Sequence, residues 1–332
     1  MTVDEIAKRA NVSKATVSRV INESGYVSKE KREKVLSVLK DIDYQIPENT
    51  RKAGIRRIHT IGVVVSEMTN PYFLSAFEGI ASVADQYDID VVFYNSDRNP
   101  EKEIRALKRL KEMQVQGIII APTLDFDNFQ SSQRFGEAMN NTKIPIVFMD
   151  ATAELDERDG VFFDNFAGAF NAVDAMIQAG HREIGILTGD RRIKTVRDRF
   201  RGYCKALEVN GIERRDNFIL EGDFTREGAY RTAKEYLKNG KMPQAIFTCN
   251  NFTTEGFFKA VLEEKLVLGQ DIFCMAFDKL EQFDMFGLNY SYLERNPWEM
   301  GKAAMEMLLE RLKNPSILCT RKIIPFHIIM NS

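Results

Sequence analysis

From Ile58 onward, short apolar runs alternate with stretches whose apolar positions recur every three or four residues. IHTIGVVV, IDVVFYN, GIIIA and IPIVFMD are near-continuously apolar and read as strands, with helices between them near 72–87, 100–113 and 127–140. The pattern then repeats. GVFFD, IGILTG, NFILEG, AIFTCN and IFCMAFD follow as strands, with helices near 166–179, 196–208, 226–238 and 253–264. Strands apolar on both faces and alternating with helices predict parallel sheets built from βαβ units. Two such sets predict an α/β body of two doubly wound subdomains, and sheets of this kind bind ligands beyond the carboxyl ends of their strands.

The first 45 residues follow another pattern, that of three short helices. Thr2 and Glu5 form a T-x-x-E capping box before a helix whose apolar face carries Val3, Ile6 and Ala10. Asn11 and Val12 break it, and Ser13 can cap a second helix with Val17, Val20 and Ile21 facing the first. Ser28 opens a third, with Val35, Leu36, Val38, Leu39 and Ile42 as its buried stripe. Two short helices joined by a tight turn form a helix-turn-helix. On the second helix Lys14, Ala15, Ser18 and Arg19 fall opposite the core, where they could enter a major groove. On the residues alone, a solvated face on a small bundle is an equally good reading.

Charge separates the two parts. The formal net charge is -2, yet residues 1–57 hold 13 Lys and Arg against 8 Asp and Glu, while the remainder holds 33 against 40. A basic head on an acidic body suits an anionic partner at one end. MTVDEIAKRANVS has neither the basic nor the apolar region of a secretory signal, and no run approaches the length of a membrane helix. Cys204, Cys249, Cys274 and Cys319 lie far apart, which argues for a reducing cytoplasm and against a zinc site, and the three histidines are scattered. A nucleotide-dependent oxidoreductase would need G-x-G-x-x-G after the first strand; the residues there are SEMTNPYF, and a Walker A loop is also missing. No cofactor is expected, and no enzyme.

VDEIAKRANVSKATVSRVIN followed by VSKEKREKV closely resembles the DNA-binding head of the lactose-repressor (LacI/GalR) family. The body resembles that family's periplasmic-binding-protein-like effector domain over essentially its whole length, through IGVVVSEMTNPYF, QVQGIIIAP, GHREIGILTGD, FRGYCKALEVNGI and LNYSYLERNPWEMG. The resemblance implies a lambda-repressor-like helix-turn-helix domain at 1–46, a hinge at 47–57 and an effector domain at 58–332. Within that domain it implies one subdomain of 58–159 plus 290–320 and another of 160–289 plus 321–332. It also implies a cytoplasmic homodimer on a palindromic operator, controlled by a sugar or sugar-phosphate effector and most simply a repressor. A regulator worked by a protein partner, or by another metabolite such as a purine, is the alternative.

Position by position, the resemblance places Lys14, Ala15 and Arg19 at base-reading sites and Ser13, Thr16, Ser18 and Asn22 against the phosphate backbone. At the hinge the chain departs from the family. Ala53 stands where a leucine usually wedges into the minor groove, Gly54 follows at once, and Arg51, Lys52, Arg56 and Arg57 can instead hold the segment by charge. Effector positions carry over to Ser66, Tyr72, Phe73, Asp150, Phe163, Arg199, Phe224, Asn250 and Asp278. For Tyr72, Phe73 and Phe163 core packing competes with ligand contact, and Trp298 reads as structural. Arg199 lies in the most basic stretch of the chain, where six Lys or Arg fall between Arg191 and Arg201; Arg197 or Lys194 could there reach a phosphate. Two departures, Asn251 for the usual Asp and Arg295 for the usual Gln, favour an acidic or phosphorylated ligand over a neutral one.

Overall fold

The computed structural model describes residues 3–21, 27–41, 60–123, 129–151, 158–239 and 243–331. The chain divides into two compact units, Met1–Ile58 and His59–Ser332. Thr2, Asn22, Ile42, Arg51 and Ala53, and with them the expected capping box and hinge, lie outside the described residues.

Among its described residues the first unit contains three helices, α1 (Val3–Ala10), α2 (Lys14–Ile21) and α3 (Lys29–Asp41). Their shared core is Ile6, Ala7, Ala10, Val17, Val20, Ile21, Val35 and Leu39. Asn11 adopts a left-handed φ of 52° between α1 and α2, a conformation that asparagine tolerates at a helix C-terminus. The Ser13 hydroxyl accepts from the Thr16 amide at 3.1 Å and caps α2. Leu36, expected in the buried stripe of α3, is 43% exposed. Val35 and Leu39, one turn apart, suffice to cover so small a core, and Leu36 lies ~100° around the helix from Val35.

In the second unit the elements run β1 (Thr60–Val65), α4 (Pro71–Gln86), β2 (Asp90–Asn95), α5 (Pro100–Glu112), β3 (Gly117–Ile120), α6 (Phe129–Thr142), β4 (Ile146–Met149) and β5 (Gly160–Phe162). The second βα series follows with α7 (Asn165–Gln178), β6 (Ile184–Thr188), α8 (Lys194–Val209), β7 (Ile219–Glu221), α9 (Arg226–Asn239), β8 (Ala245–Thr248), α10 (Asn251–Glu263) and β9 (Phe273–Ala276). The chain ends through α11 (Glu281–Met285), β10 (Ser291–Arg295), α12 (Pro297–Lys313), β11 (Arg321–Ile323) and β12 (Phe326–Ile329). Two six-stranded sheets result, ordered β11-β5-β4-β3-β1-β2 and β12-β10-β9-β8-β6-β7. Among the described residues every pairing between these strands is parallel except that of β12 with β10. The strands of both centres are fully buried, as near-continuous apolar runs require.

The chain crosses between sheets at points that differ from the expected boundaries. β5, at 160–162, pairs with β4 and closes the first sheet rather than opening the second. β10, at 291–295, pairs with β9 in the second sheet, and β11, at 321–323, pairs with β5 in the first. The crossings therefore fall after β5, after β10 and after β11. An apolar strand carries no mark of the sheet it joins; the helix that follows it decides. α12 packs on α4 with backbone in near contact, where a Cβ on Gly301 would lie 1.8 Å from the Ala76 carbonyl oxygen and one on Gly79 2.0 Å from that of Trp298. This draws α12 onto the first sheet while β10, immediately before it, stays in the second. Trp298 thus contributes backbone to a helix–helix seam, in keeping with a structural role.

Candidate functional site

In the second unit, the carboxyl ends of the two sets of parallel strands border a common cleft. From the first sheet come Ser66 and Glu67 after β1, Asn70, Tyr72 and Phe73 at the start of α4, Arg98 after β2, Thr123 after β3 and Asp150 after β4. From the second come Thr195 and Arg199 on α8, Phe224 after β7, Asn250 after β8, Asp278 after β9 and Arg295 at the end of β10. Consecutive βα turns thus deliver side chains from distant sequence positions to one place.

Arg199 is 4% exposed. Its Nε donates to Asn165 Oδ1 at 2.8 Å, Nη1 donates to the Cys249 carbonyl, and the guanidinium stacks 3.7 Å from the Phe277 ring centroid. Tyr72 donates its hydroxyl to Asp150 Oδ1 at 2.5 Å. Burial, and then the Asp150 carboxylate, push the Tyr72 phenol well above its ordinary pKa, so it remains a donor. Arg295 binds Asp278 through Nε at 2.8 Å and through Nη2. Burial raises the Asp278 carboxyl from its ordinary value, and Arg295 and Arg199 pull it back. Asn250 caps α10 by accepting from the Thr253 amide at 2.8 Å.

Contacts also span the cleft. Asn251 Nδ2 donates to Asn70 Oδ1 at 3.1 Å. An aspartate at 251 could not make that donation. Arg98 reaches over to the carbonyls of Asp223 and Phe224 and lies 3.5 Å from Glu67.

Of the ten residues expected at the effector site, Ser66, Tyr72, Phe73, Asp150, Arg199, Phe224, Asn250 and Asp278 line this cleft. Phe163 is 3% exposed and packs behind it, with its ring centroid 6.3 Å from that of Tyr72. Arg197, half-buried on α8, is not among the lining residues. Lys194 pairs with Asp198 at 2.7 Å, Arg192 with Asp190 at 2.5 Å and Arg191 with Glu221, so much of the basic run neutralises itself. Sequence reasoning passed over Glu67, Asn70, Arg98, Thr123 and Phe277. Arg98 and Asn70 had a usable signal, each being a polar residue in the turn after an apolar strand.

In the first unit, α2 buries Val17, Val20 and Ile21 and exposes Lys14, Ala15, Ser18 and Arg19. Lys14 pairs with Asp4 at 2.5 Å, and the Ser13 and Thr16 hydroxyls lie 2.8 Å apart. An exposed helical face with one arginine, one lysine and small hydroxyl residues suits major-groove contact.

Residues 58–325 match the family model described as periplasmic binding proteins and sugar binding domain of LacI family, and residues 2–47 match that of bacterial regulatory proteins, lacI family. The chain is 29% identical to the ribose operon repressor of Haemophilus influenzae, covering 95% of this chain and 93% of that protein. It is 28% identical to the HTH-type transcriptional repressor PurR of Photobacterium profundum, over 94% and 92%. Among solved structures, the lac repressor dimer bound to operator and an anti-inducer superposes with a TM-score of 0.77 at 24% identity, covering 100% of this chain and 98% of that one. A complex of the regulator CelR with cellobiose gives 0.73 at 21% identity, over 100% and 99%.

Proposed function

We propose, from the premise that this chain belongs to the LacI family of bacterial regulatory proteins, that a sugar or sugar phosphate binds the cleft and thereby changes the affinity of the head for a palindromic operator. The observation that carries this reading is the composition of the cleft: forked polar side chains (Arg199, Asp150, Asp278, Asn250) beside the aromatic surfaces of Phe224 and Phe73. Sugars need both, planar apolar surface for ring C–H faces and paired donors and acceptors for hydroxyls. The ribose operon repressor among the relatives and the cellobiose-bound neighbour support the ligand class.

The protein acts as a cytoplasmic homodimeric repressor in this reading. Two copies of α2 lie in successive major grooves, with Lys14, Ala15 and Arg19 at base edges and Ser13, Thr16, Ser18 and Asn22 on phosphates. A coupling of about 1–3 kcal/mol between effector and operator sites changes operator affinity ~5–150-fold. Regulation is its whole activity, with no reaction catalysed.

The test is a thermal-shift screen of free and phosphorylated sugars on the full chain, repeated on Arg199→Ala, with each hit carried into an operator-binding titration. A hit that raises the melting temperature of the wild type alone and shifts operator affinity supports the reading. A flat screen refutes it and points to a protein partner or a purine.

A further inference from the structure

Arg295 occupies the part of the cleft best suited to a flat ring. Its guanidinium carbon lies 4.3 Å from the ring centroid of Tyr72, 4.7 Å from that of Phe163 and 4.8 Å from that of Phe277. The side chain is 3% exposed. Cation–π attraction is strongest where the cation is desolvated, as here. The Tyr72, Phe163 and Phe277 rings are therefore already covered by the protein's own cation, which leaves Phe224 and Phe73 among the rings of the lining.

The hydrogen-bonding capacity that remains includes guanidinium donors without an acceptor among the described residues. Three guanidiniums and three carboxylates line the cleft. Each carboxylate already meets a donor at one oxygen: Asp278 Oδ1 takes two donors of Arg295, Asp150 Oδ1 takes the Tyr72 hydroxyl, and Glu67 Oε2 lies 3.5 Å from Arg98 Nε. The guanidiniums of Arg295 and Arg199 are engaged only in part. Arg295 Nη1 is buried, and among the described residues no acceptor lies within hydrogen-bond distance of it; Asp150 Oδ1 comes only to 3.8 Å. The bonds of Arg199 use Nε and Nη1, which leaves Nη2. A buried donor without an acceptor costs free energy, more so when it is charged. A ligand that supplies the acceptor, once the side chains over Nη1 shift to admit it, regains part of that amount, and an anionic acceptor forms the stronger, charge-assisted bond.

We propose that Arg295 is the specificity-determining residue of this cleft, selecting a polyhydroxylated ligand that carries a carboxylate or phosphate and discriminating against its neutral parent. The anionic group sits on Arg295 Nη1 beside Arg199, and the sugar ring lies against Phe224 rather than in the aromatic box. This rests on the sugar-effector reading above and narrows it.

Calorimetry on the full chain with two matched sets tests it: glucose, gluconate, glucuronate and glucose 6-phosphate, then ribose, ribonate and ribose 5-phosphate. In at least one set an acid or a phosphate should bind tenfold or more tightly than the neutral sugar, and which of the two does so identifies the anion. In Arg295→Gln, which keeps an amide donor without the charge, that ratio should fall toward one; Arg295→Lys should retain part of it. Both variants are first checked for a cooperative melt, and the wild-type comparison stands without them. A neutral sugar binding the wild type as tightly as its charged derivatives overturns the inference and leaves the sugar reading intact. An unchanged ratio in Arg295→Gln also overturns it. No binding by any member of either set overturns both.

Discussion

Arg98 Nη1 donates to the Phe224 carbonyl at 3.3 Å, joining the turn after β2 of the first sheet to the turn after β7 of the second. With the Asn251–Asn70 bond, it ties together the two banks of the cleft. The tie is polar and partly solvated, so it holds closure without making it permanent. A hydrogen bond from a charged donor contributes about 1.5–3 kcal/mol, less where water competes. Arg98→Met should therefore weaken effector binding about 3–10-fold, with little change in melting temperature without ligand. Equal calorimetric affinities for the variant and the wild type would remove Arg98 from the closure mechanism.

Phe224 has its own vulnerability. It holds a left-handed φ of 64°, and its ring lies over Gly189, where a Cβ would come within 1.9 Å of Cδ2 and 2.6 Å of Cγ. Gly189→Ala should displace the ring, at a cost of ~1–3 kcal/mol in stability. Effector affinity should drop tenfold or more, while operator affinity without effector stays at the wild-type level. Retained effector binding would show that the Phe224 ring is not part of the site.

Glu103 lies behind the cleft wall. Its Oε1 accepts from Ser96 Oγ at 3.1 Å and from the amide and hydroxyl of Thr123 at 2.9 and 3.0 Å, while Oε2 is buried without a partner among the described residues. Burial raises its pKa above the ordinary 4.5, against the pull of the Thr123 and Ser96 bonds. A raised pKa means the folded protein holds this proton more tightly than the unfolded chain does. The contribution is then present below 4.5 and is lost as pH rises through the raised value. Glu103→Gln retains the Oε1 acceptor and cannot ionise. Its stability relative to the wild type should rise as pH climbs from 4.5 through the raised value. Denaturant melts across that range give the difference directly, and a pH-independent gap would contradict the account.

On the head, Arg19 is exposed on α2 and Lys14 is held to Asp4 at 2.5 Å. A base-reading arginine is worth about 1–3 kcal/mol of discrimination, whereas a phosphate contact weakens all sequences alike. Arg19→Ala should thus lower affinity for the cognate operator far more than for random duplex. Equal losses on both, measured at one salt concentration, would show Arg19 to be a backbone contact.

Much of this was legible before any coordinates. The period of apolar positions identified α1 to α3 and the strands β1 to β9, because a strand buried on both faces must be apolar at nearly every position, whereas β10 to β12, which are less buried, carried no such run. The resemblance to the family, carried onto the ends of those strands, located Ser66, Asp150, Phe224, Asn250 and Asp278, all of which line the cleft. Leu36 shows the limit of period alone. It fits the apolar stripe of α3, but whether a stripe position is covered depends on how wide a neighbour lies against it, and the core of the head is narrow.

The sequence by itself determined which segments become strands and helices, since local periodicity and capping act over a few residues. It also determined which side chains stand at the strand ends. Only the tertiary structure decided which sheet receives β5, β10 and β11, because the close approach of Gly79 and Gly301 that seats α12 on α4 spans more than 200 residues of chain. It also decided the state of the cleft. Arg295, Asp278, Tyr72, Phe163 and Phe277 are an ordinary scatter of residues along the chain. Folding brings them within contact distance, and low-dielectric burial then makes their charges and rings act on one another.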